Sequence, residues 1–263
     1  MFGLNRLFVL FVFFLLTCLL QPSIAGETKG KNAAGKVPIL LYHRFGPAVM
    51  DSMTVTTAVF ESHLKYLRDN GYTIIPLSRL VQHYRKQVPP PPPKSVVLTV
   101  DDGHKSVYAD MLPLIKKYRF PVTLFIYPSA ISNASYAMTW EQLREMKKTG
   151  LVDFQSHTYW HPNFNRDKRK MKPAEYENLV EMQLRKSKER LEKELGNRVD
   201  MLAWPFGIYN DDLERSAVKA GYIAAFTMVR HHTRITDNMM ALPRYLMTDT
   251  TRGKIFERLL MEE

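Results

Sequence analysis

From Val37 onward, short apolar runs alternate with amphipathic segments of helical period, and no other feature restricts the possible folds as much. Residues 37–42 read as a short buried strand. In 57–70, Phe60, Leu64 and Leu67 fall at helical spacing, and Gly71 stands where such a helix ends. Further strands are expected at 72–75, 95–100, 121–127, 152–156, 199–203, 222–226 and 241–246. Helices are expected at 78–86, capped by Ser78, at 108–118, and at 139–148, capped by Thr139. Three more follow at 173–195, 211–220 and 252–261, with Gly150, Gly196 and Gly221 marking helix ends. Five consecutive prolines, 89–93, form a stiff extended connector. The alternation continues unchanged beyond them, so they read as a surface loop and not a domain boundary. Repeated β–α alternation calls for an α/β fold with a mostly parallel sheet, open or closed.

The N-terminus has a different character. Arg6 precedes the apolar run 7–20, followed by Gln21-Pro22-Ser23-Ile24-Ala25-Gly26. A basic start, a short apolar core and a small-x-small site describe a secretory signal, 1–25, cleaved after Ala25. The run is short for a membrane span, which makes a retained anchor the lesser reading. Residues 26–36 are small, polar and lysine-rich and read as a flexible lead-in to one domain, 37–263. Cys18, the only cysteine, lies inside the apolar core, so a cleaved protein has neither disulfide nor thiol nucleophile. Export to the periplasm, cell envelope or exterior is expected. The net charge of +11 suits an anionic envelope, an acidic polymer or nucleic acid. No zinc finger, RNA-recognition signature or basic zipper accompanies the scattered basic residues, so a solvated basic face is expected and no nucleic-acid partner. A monomer, associated with the envelope, is the expected state.

The run 95–100 enters Asp101-Asp102-Gly103 directly. It is continuously apolar, as in a strand buried on both faces. Two adjacent carboxylates at such a strand end need a cation, a shared proton or good donors. One of them is accounted for by capping the next helix, the second less readily. There is no Gly-x-Gly-x-x-Gly and no P-loop, so nucleotide sites are not supported. His43, the aspartates, His157 to His161 and Trp204 to Gly207 all follow strands. In a β/α barrel those ends share one face, where sites are built.

His157 and His161 are four apart, but the strand before them and Pro162 after them argue for a loop. Thr158 stands where the glutamate of the zinc-protease His-Glu-x-x-His would be. The bland alternative is a pair of surface histidines. With one aspartate from a neighbouring strand, two imidazoles and a carboxylate suit a catalytic Zn²⁺, with Co²⁺, Ni²⁺ or Mn²⁺ as alternatives. The other aspartate is then free to act as a base toward a metal-activated water. Spacing alone leaves open which aspartate does which.

Thr99-Val100-Asp101-Asp102-Gly103 resembles the Thr-Phe-Asp-Asp-Gly motif of the polysaccharide deacetylase family, the NodB-homology or carbohydrate esterase family 4 domain. His157-Thr158-x-x-His161-Pro162 is similar to its His-Ser/Thr-x-x-His motif, and Trp204-Pro205-Phe206-Gly207 to its Arg-x-Pro-Tyr/Phe-Gly motif. The resemblance implies a distorted (β/α)7 barrel, a divalent metal and removal of acetyl groups from N-acetylated sugars. It implies Asp101 as base, Asp102, His157 and His161 as metal ligands, and the Phe206 N–H in the oxyanion hole. Two departures stand out. Ala203 occupies the place of the arginine that orients the base, and Arg244 is a substitute from another strand. The late Leu-x-His motif that supplies the general acid is missing. His43, at the end of an N-terminal strand, replaces it if the barrel is circularly permuted, ahead of His231 and His232. A hydrogen-bonded strand-end histidine is the plainer reading of His43. The Tyr42-His43-Arg44 opening resembles the poly-β-1,6-N-acetylglucosamine deacetylase branch, which has that permuted order. Trp160, Trp204, Phe206 and Tyr209 are candidate sugar-stacking surfaces, with core burial as the competing explanation. O-acetyl ester hydrolysis on the same site, or an idle glycan-binding module, are the alternative functions.

Overall fold

The computed structural model describes residues 1–3 and 36–262. Nearly all of the expected signal segment and of the lead-in therefore lie outside the described residues. Ala33 onward forms one unit, and that unit is the subject below.

The elements follow the alternation. β1 (Ile39–Tyr42) is followed by β2 (Arg44–Gly46), β3 (Thr54–Thr56), α1 (Thr57–Asp69), β4 (Thr73–Ile74) and α2 (Leu77–Tyr84). β5 (Ser95–Asp102) leads through a π-turn at Val107–Met111 into α3 (Leu112–Tyr118), then β6 (Val122–Ile126) and α4 (Trp140–Lys148). β7 (Val152–Ser156), α5 (Phe164–Lys170), α6 (Pro173–Leu195) and β8 (Met201–Ala203) come next. After a 3-10 turn at Pro205–Gly207 the chain completes α7 (Asp211–Lys219), β9 (Ala224–Phe226), β10 (Tyr245–Leu246) and α8 (Lys254–Met261).

Seven parallel strands form the ring, in the order β10-β1-β5-β6-β7-β8-β9. Leu40 and Leu41 pair with Tyr245 and Leu246, while Phe226 of β9 bridges Leu242 in the segment before β10. The last strand thus pairs with β1, while the segment leading into it bridges β9, and the barrel closes through that segment in distorted form. β4 pairs only with the start of β5, at Ser95 and Val96.

Alternating strand residues serve two cores. Leu40, Tyr42, Leu98, Val100 and Leu124 face the helical layer. Ile39, Val97, Phe125, Ala203, Phe226 and Leu242 form the second cluster, which includes Leu77, Leu80 and Val81 of α2. On β5 the second set continues upward from Val97 through Thr99 to Asp101.

Several expectations change in detail. Ser78 does not cap α2; it lies within the helix, and Pro76 takes the cap position without a side-chain hydrogen bond. A proline at a helix entry has the right backbone shape and no N–H to satisfy. Thr139 does cap α4, in a reciprocal capping box with Gln142. The helix expected at 108–118 opens as a π-turn, and Pro113 falls at the start of α3, where its missing N–H costs nothing. α5 and the β2–β3 ribbon have no counterpart in the sequence reading.

A buried histidine ties the barrel to two helices. His63 on α1 stacks on Phe256 of α8 at 4.0 Å, and its Nε2 donates to the Thr251 carbonyl at 2.5 Å. Its Nδ1 therefore accepts from the Tyr42 hydroxyl at 3.0 Å. Burial pushes the imidazole down to about 4, against the Thr251 hydrogen bond. The unfolded chain binds this proton first, so the neutral ring's contribution is complete above pH 6.5 and lost as pH falls toward 4. Folding stability is expected to drop by about 3 kcal/mol over that window. Denaturant melts at stepped pH check this, with His63→Phe showing a flatter dependence.

Candidate active site

β5, β6 and β7 are neighbours in register, Asp102 against Ile126 and Ile126 against Ser156. The residues just past their ends therefore meet. Asp102, His157 and His161 each present a ligand atom, all within 4.8 Å of one another. His157 Nε2 lies 3.6 Å from Asp102 Oδ1, and His161 Nε2 lies 3.8 Å from the same oxygen. A tetrahedral ion with bonds of ~2.1 Å sets its ligand atoms ~3.4 Å apart, so the three sit where a divalent cation needs them. His157 Nδ1 is 2.8 Å from the Ala203 carbonyl. A carbonyl only accepts, so Nδ1 carries the proton and Nε2 offers its lone pair to the site. Burial, partly countered by Asp101, holds the His157 imidazole down at about 3, and burial also lowers His161. Both rings are therefore neutral, as metal ligands must be. The donor set fits a divalent metal.

The backbone around these groups is unusual. Asp102, Thr158, His161 and Phe206 all have positive φ, between 58° and 75°. Each such residue costs on the order of 1 kcal/mol or more, and such strain persists only where surroundings enforce it. The enforcement is visible in the His157–His161 loop. Gln183, buried on α6, accepts from the N–H groups of Tyr159 and Trp160, both at 3.0 Å. The Thr158 N–H reaches Ser156 Oγ at 3.2 Å, and Ser156 donates to Ser187 Oγ at 2.8 Å.

Asp101 points into the barrel beside the triad. Its carboxylate is 2% exposed and is gripped by Arg244, Nη1 to Oδ1 at 2.8 Å and Nη2 to Oδ2 at 2.7 Å. Arg244 lies just before β10, fully buried, with Nε donating to the Thr227 carbonyl at 3.1 Å. Its guanidinium carbon is 5.3 Å from the Phe125 ring centroid, and cation–π attraction suits that placement. Burial alone would raise the Asp101 carboxyl, but the charge and hydrogen bonds of Arg244 hold it down at about 2. Asp101 is an ionised carboxylate, held by a two-pronged clamp. Burial raises Asp102, against the attraction of His43.

His43, just past β1, is buried near Asp101, Asp102 and Arg244, whose charges act on its ring. Burial lowers its pKa, with Asp101 and Asp102 pulling the other way. Its Nδ1 has no hydrogen-bond partner. His231 and His232 are elsewhere: His232 is buried against α8, with Nε2 bonded to the Leu259 carbonyl, and His231 bonds the His232 carbonyl. Phe206 is 53% exposed, with its ring edge-on to His161 at 4.5 Å. Trp160 is 47% exposed on the histidine loop, and Tyr209 is also exposed. Trp204 is not a substrate surface. It is 1% exposed, its Nε1–H donates to the Met240 carbonyl at 2.8 Å, and it packs with Phe164 in the core. Its position directly after β8 turns the ring into the helical layer.

Sequence reading missed Tyr127, whose ring lies 5.4 Å from His161 and 6.4 Å from His157. It also missed Gln183. A buried glutamine in a charged helix leaves no periodic signal, whereas Tyr127 directly after an apolar strand was a readable one.

Comparison with known proteins agrees with this geometry. Residues 89–225 match the polysaccharide deacetylase family. Poly-beta-1,6-N-acetyl-D-glucosamine N-deacetylase of Staphylococcus aureus is 28% identical over 209 residues, 78% of this chain and 71% of that protein. BC0361, a polysaccharide deacetylase from Bacillus cereus, aligns with a TM-score of 0.72 at 25% identity, over 86% of this chain and 69% of that one. The Streptococcus pyogenes deacetylase PplD shares the fold, with a TM-score of 0.77 at 23% identity over 86% of this chain and 99% of that one. With a distorted seven-stranded barrel and both acidic and histidine motifs at one mouth, the chain belongs to the polysaccharide deacetylase family and is a hydrolase of acetylated polysaccharide.

Proposed function

We propose that this protein removes N-acetyl groups from an N-acetylglucosamine-containing polysaccharide of the cell envelope or an exopolysaccharide. The observation that carries the reading is the clamped base next to a three-ligand cluster: Asp101 fixed by Arg244, beside Asp102, His157 and His161. A glycan-binding module has no use for an aimed, ionised carboxylate in that place. The named activity of the Staphylococcus aureus relative supports the choice of substrate class.

Asp102, His157 and His161 would hold a divalent cation, which would supply Lewis acidity toward the acetyl carbonyl and lower the pKa of the attacking water. Zn²⁺ suits this donor set, with Co²⁺, Ni²⁺ or Mn²⁺ as substitutes. Asp101 takes the proton from water as it attacks, and its clamp keeps the accepting oxygen in place. The Phe206 N–H, presented by the strained turn after β8, donates to the developing oxyanion. His43, in the imidazolium form that the neighbouring Asp101 and Asp102 carboxylates favour against its burial, gives a proton to the departing sugar nitrogen, which is a poor leaving group as an amide anion. The products are acetate and a glycan with a free amine. The barrel's first strand, β1, ends directly before His43, an order that supports the permuted reading. The basic start, apolar run and Ala25 site support export, which N-terminal sequencing of the secreted protein tests. A first residue other than Gly26 would contradict that cleavage.

The deciding experiment measures acetate released from β-1,6- and β-1,4-linked N-acetylglucosamine oligomers, peptidoglycan and acetylated xylan, with and without chelator. Release from an N-acetylglucosamine oligomer, lost on chelation and restored by Zn²⁺, is expected. Release from acetylated xylan alone would replace this reading with O-acetyl ester hydrolysis.

A further inference from the structure

Beyond the reacting groups, one exposed ring is fixed in place beside them. Tyr136 lies in the segment between β6 and α4 and is 42% exposed. Its backbone is laced to the residues just after Asp102. The Lys105 N–H donates to the Tyr136 carbonyl at 2.8 Å, the Met138 N–H donates to the Gly103 carbonyl at 3.0 Å, and His104 bridges Ala137. Its ring is held as well. The Tyr136 hydroxyl is 2.9 Å from the Tyr127 hydroxyl, and the His104 imidazole lies nearly parallel to the ring, at 10° and 6.4 Å. His104 is in turn set by a 2.8 Å hydrogen bond to Ser106 Oγ, which accepts from the Phe45 N–H at 2.9 Å. One ring, that of Tyr127, separates Tyr136 from His161.

We propose that Tyr136 is a sugar-stacking platform that holds the pyranose next to the one being deacetylated. The proposal rests on the deacetylase reading above. An aromatic face with its orientation already fixed loses little freedom when a sugar's C–H face covers it. Burying that apolar area is favourable, and the hydroxyl pair of Tyr127 and Tyr136 offers hydrogen bonds at the ring's edge. A polar neighbour completes the wall. Arg44, ion-paired with Asp51, lies near enough for its charge to act on both His104 and Tyr127. Its Nε is buried without a hydrogen-bond partner. The specificity that follows is for oligomers over single sugars, because a monomer in the reacting position does not extend to Tyr136.

The test compares an N-acetylglucosamine pentamer with p-nitrophenyl acetate, which reaches the reacting groups without a second sugar. In Tyr136→Ala the ratio of kcat/KM on the pentamer to that on the ester is expected to fall roughly five- to tenfold, through KM and not kcat. Tyr136→Phe, which keeps the ring and loses the hydroxyl tether, is expected to fall by about twofold. Pentamer binding to the chelator-treated protein, measured by calorimetry, is expected to weaken in step. An unchanged ratio, or a fall carried by kcat, overturns the platform. If the wild type hydrolyses the ester but no N-acetylated oligomer, the substrate reading fails. Calorimetry then still decides the platform: pentamer binding weakened by Tyr136→Ala supports it, and binding that is absent or unaffected overturns it.

Discussion

Asp102→Ala and His157→Ala are expected to yield folded protein with no stoichiometric divalent metal and acetate release at background. Each removes one of three ligands, and two ligands do not hold a catalytic ion against dilution. Asp101→Asn separates the neighbouring carboxylate from that role. It is expected to keep its metal and lose kcat by about 10²–10⁴-fold, the range a positioned general base supplies. His43→Ala belongs with Asp101→Asn: metal retained, kcat down by about 10²–10⁴-fold. Metal content by mass spectrometry, read beside kcat for the same preparations, resolves all four variants. Full acetate release by Asp101→Asn would end its assignment as base. Unchanged turnover in His43→Ala would move the proton donor elsewhere.

The second large effect concerns Arg244. Arg244→Met leaves the Asp101 carboxylate buried with its clamp removed. Breaking one side of a buried ion pair typically costs about 3–5 kcal/mol, because the remaining charge is uncompensated. The base also loses its orientation, and a small displacement of a reacting group costs about a hundredfold in rate. Arg244→Met is therefore expected to lower both the unfolding free energy and kcat. Arg244→Lys keeps the charge but not the two-pronged geometry, and should fall between them. Denaturant melts and kcat on the same oligomer check this. A wild-type kcat in Arg244→Met would show that the clamp serves stability alone.

Long, regular elements were legible in the sequence. β7 and α6 occupy the expected residues, because a buried apolar run and a charged helix stopped by Gly196 each carry a clear pattern. α5 did not, since its only buried residue is Phe164 and its remaining residues are polar or charged. The β2–β3 ribbon is three residues on each side, too short for any period to register. At the site, Asp101, Asp102, His157 and His161 could be found because strand ends concentrate on one face. Arg244 could be suspected only because Ala203 left an expected arginine missing, and its clamp follows from a contact between positions 143 apart. For Trp204 core burial, the competing explanation, holds over a stacking surface, because motif position says nothing of which way a ring turns after its strand. Tyr127 could be read as a strand-end residue, but its pairing with Tyr136 and His104 had no signal, since it exists only through the folding of one loop over another.

The barrel's closure has a consequence for how the enzyme comes into being. β5, β6 and β7 are successive neighbours, so the ligand cluster can assemble from local crossovers. Arg244 comes with the seventh strand, which must find β1 across nearly the whole domain. That closure carries the largest loss of chain freedom and is expected late in folding. A chain paused before it holds its metal ligands together while its base is still unaimed. On the proposed mechanism, hydrolysis is then expected only once the ring is shut, so turnover would report the completion of topology.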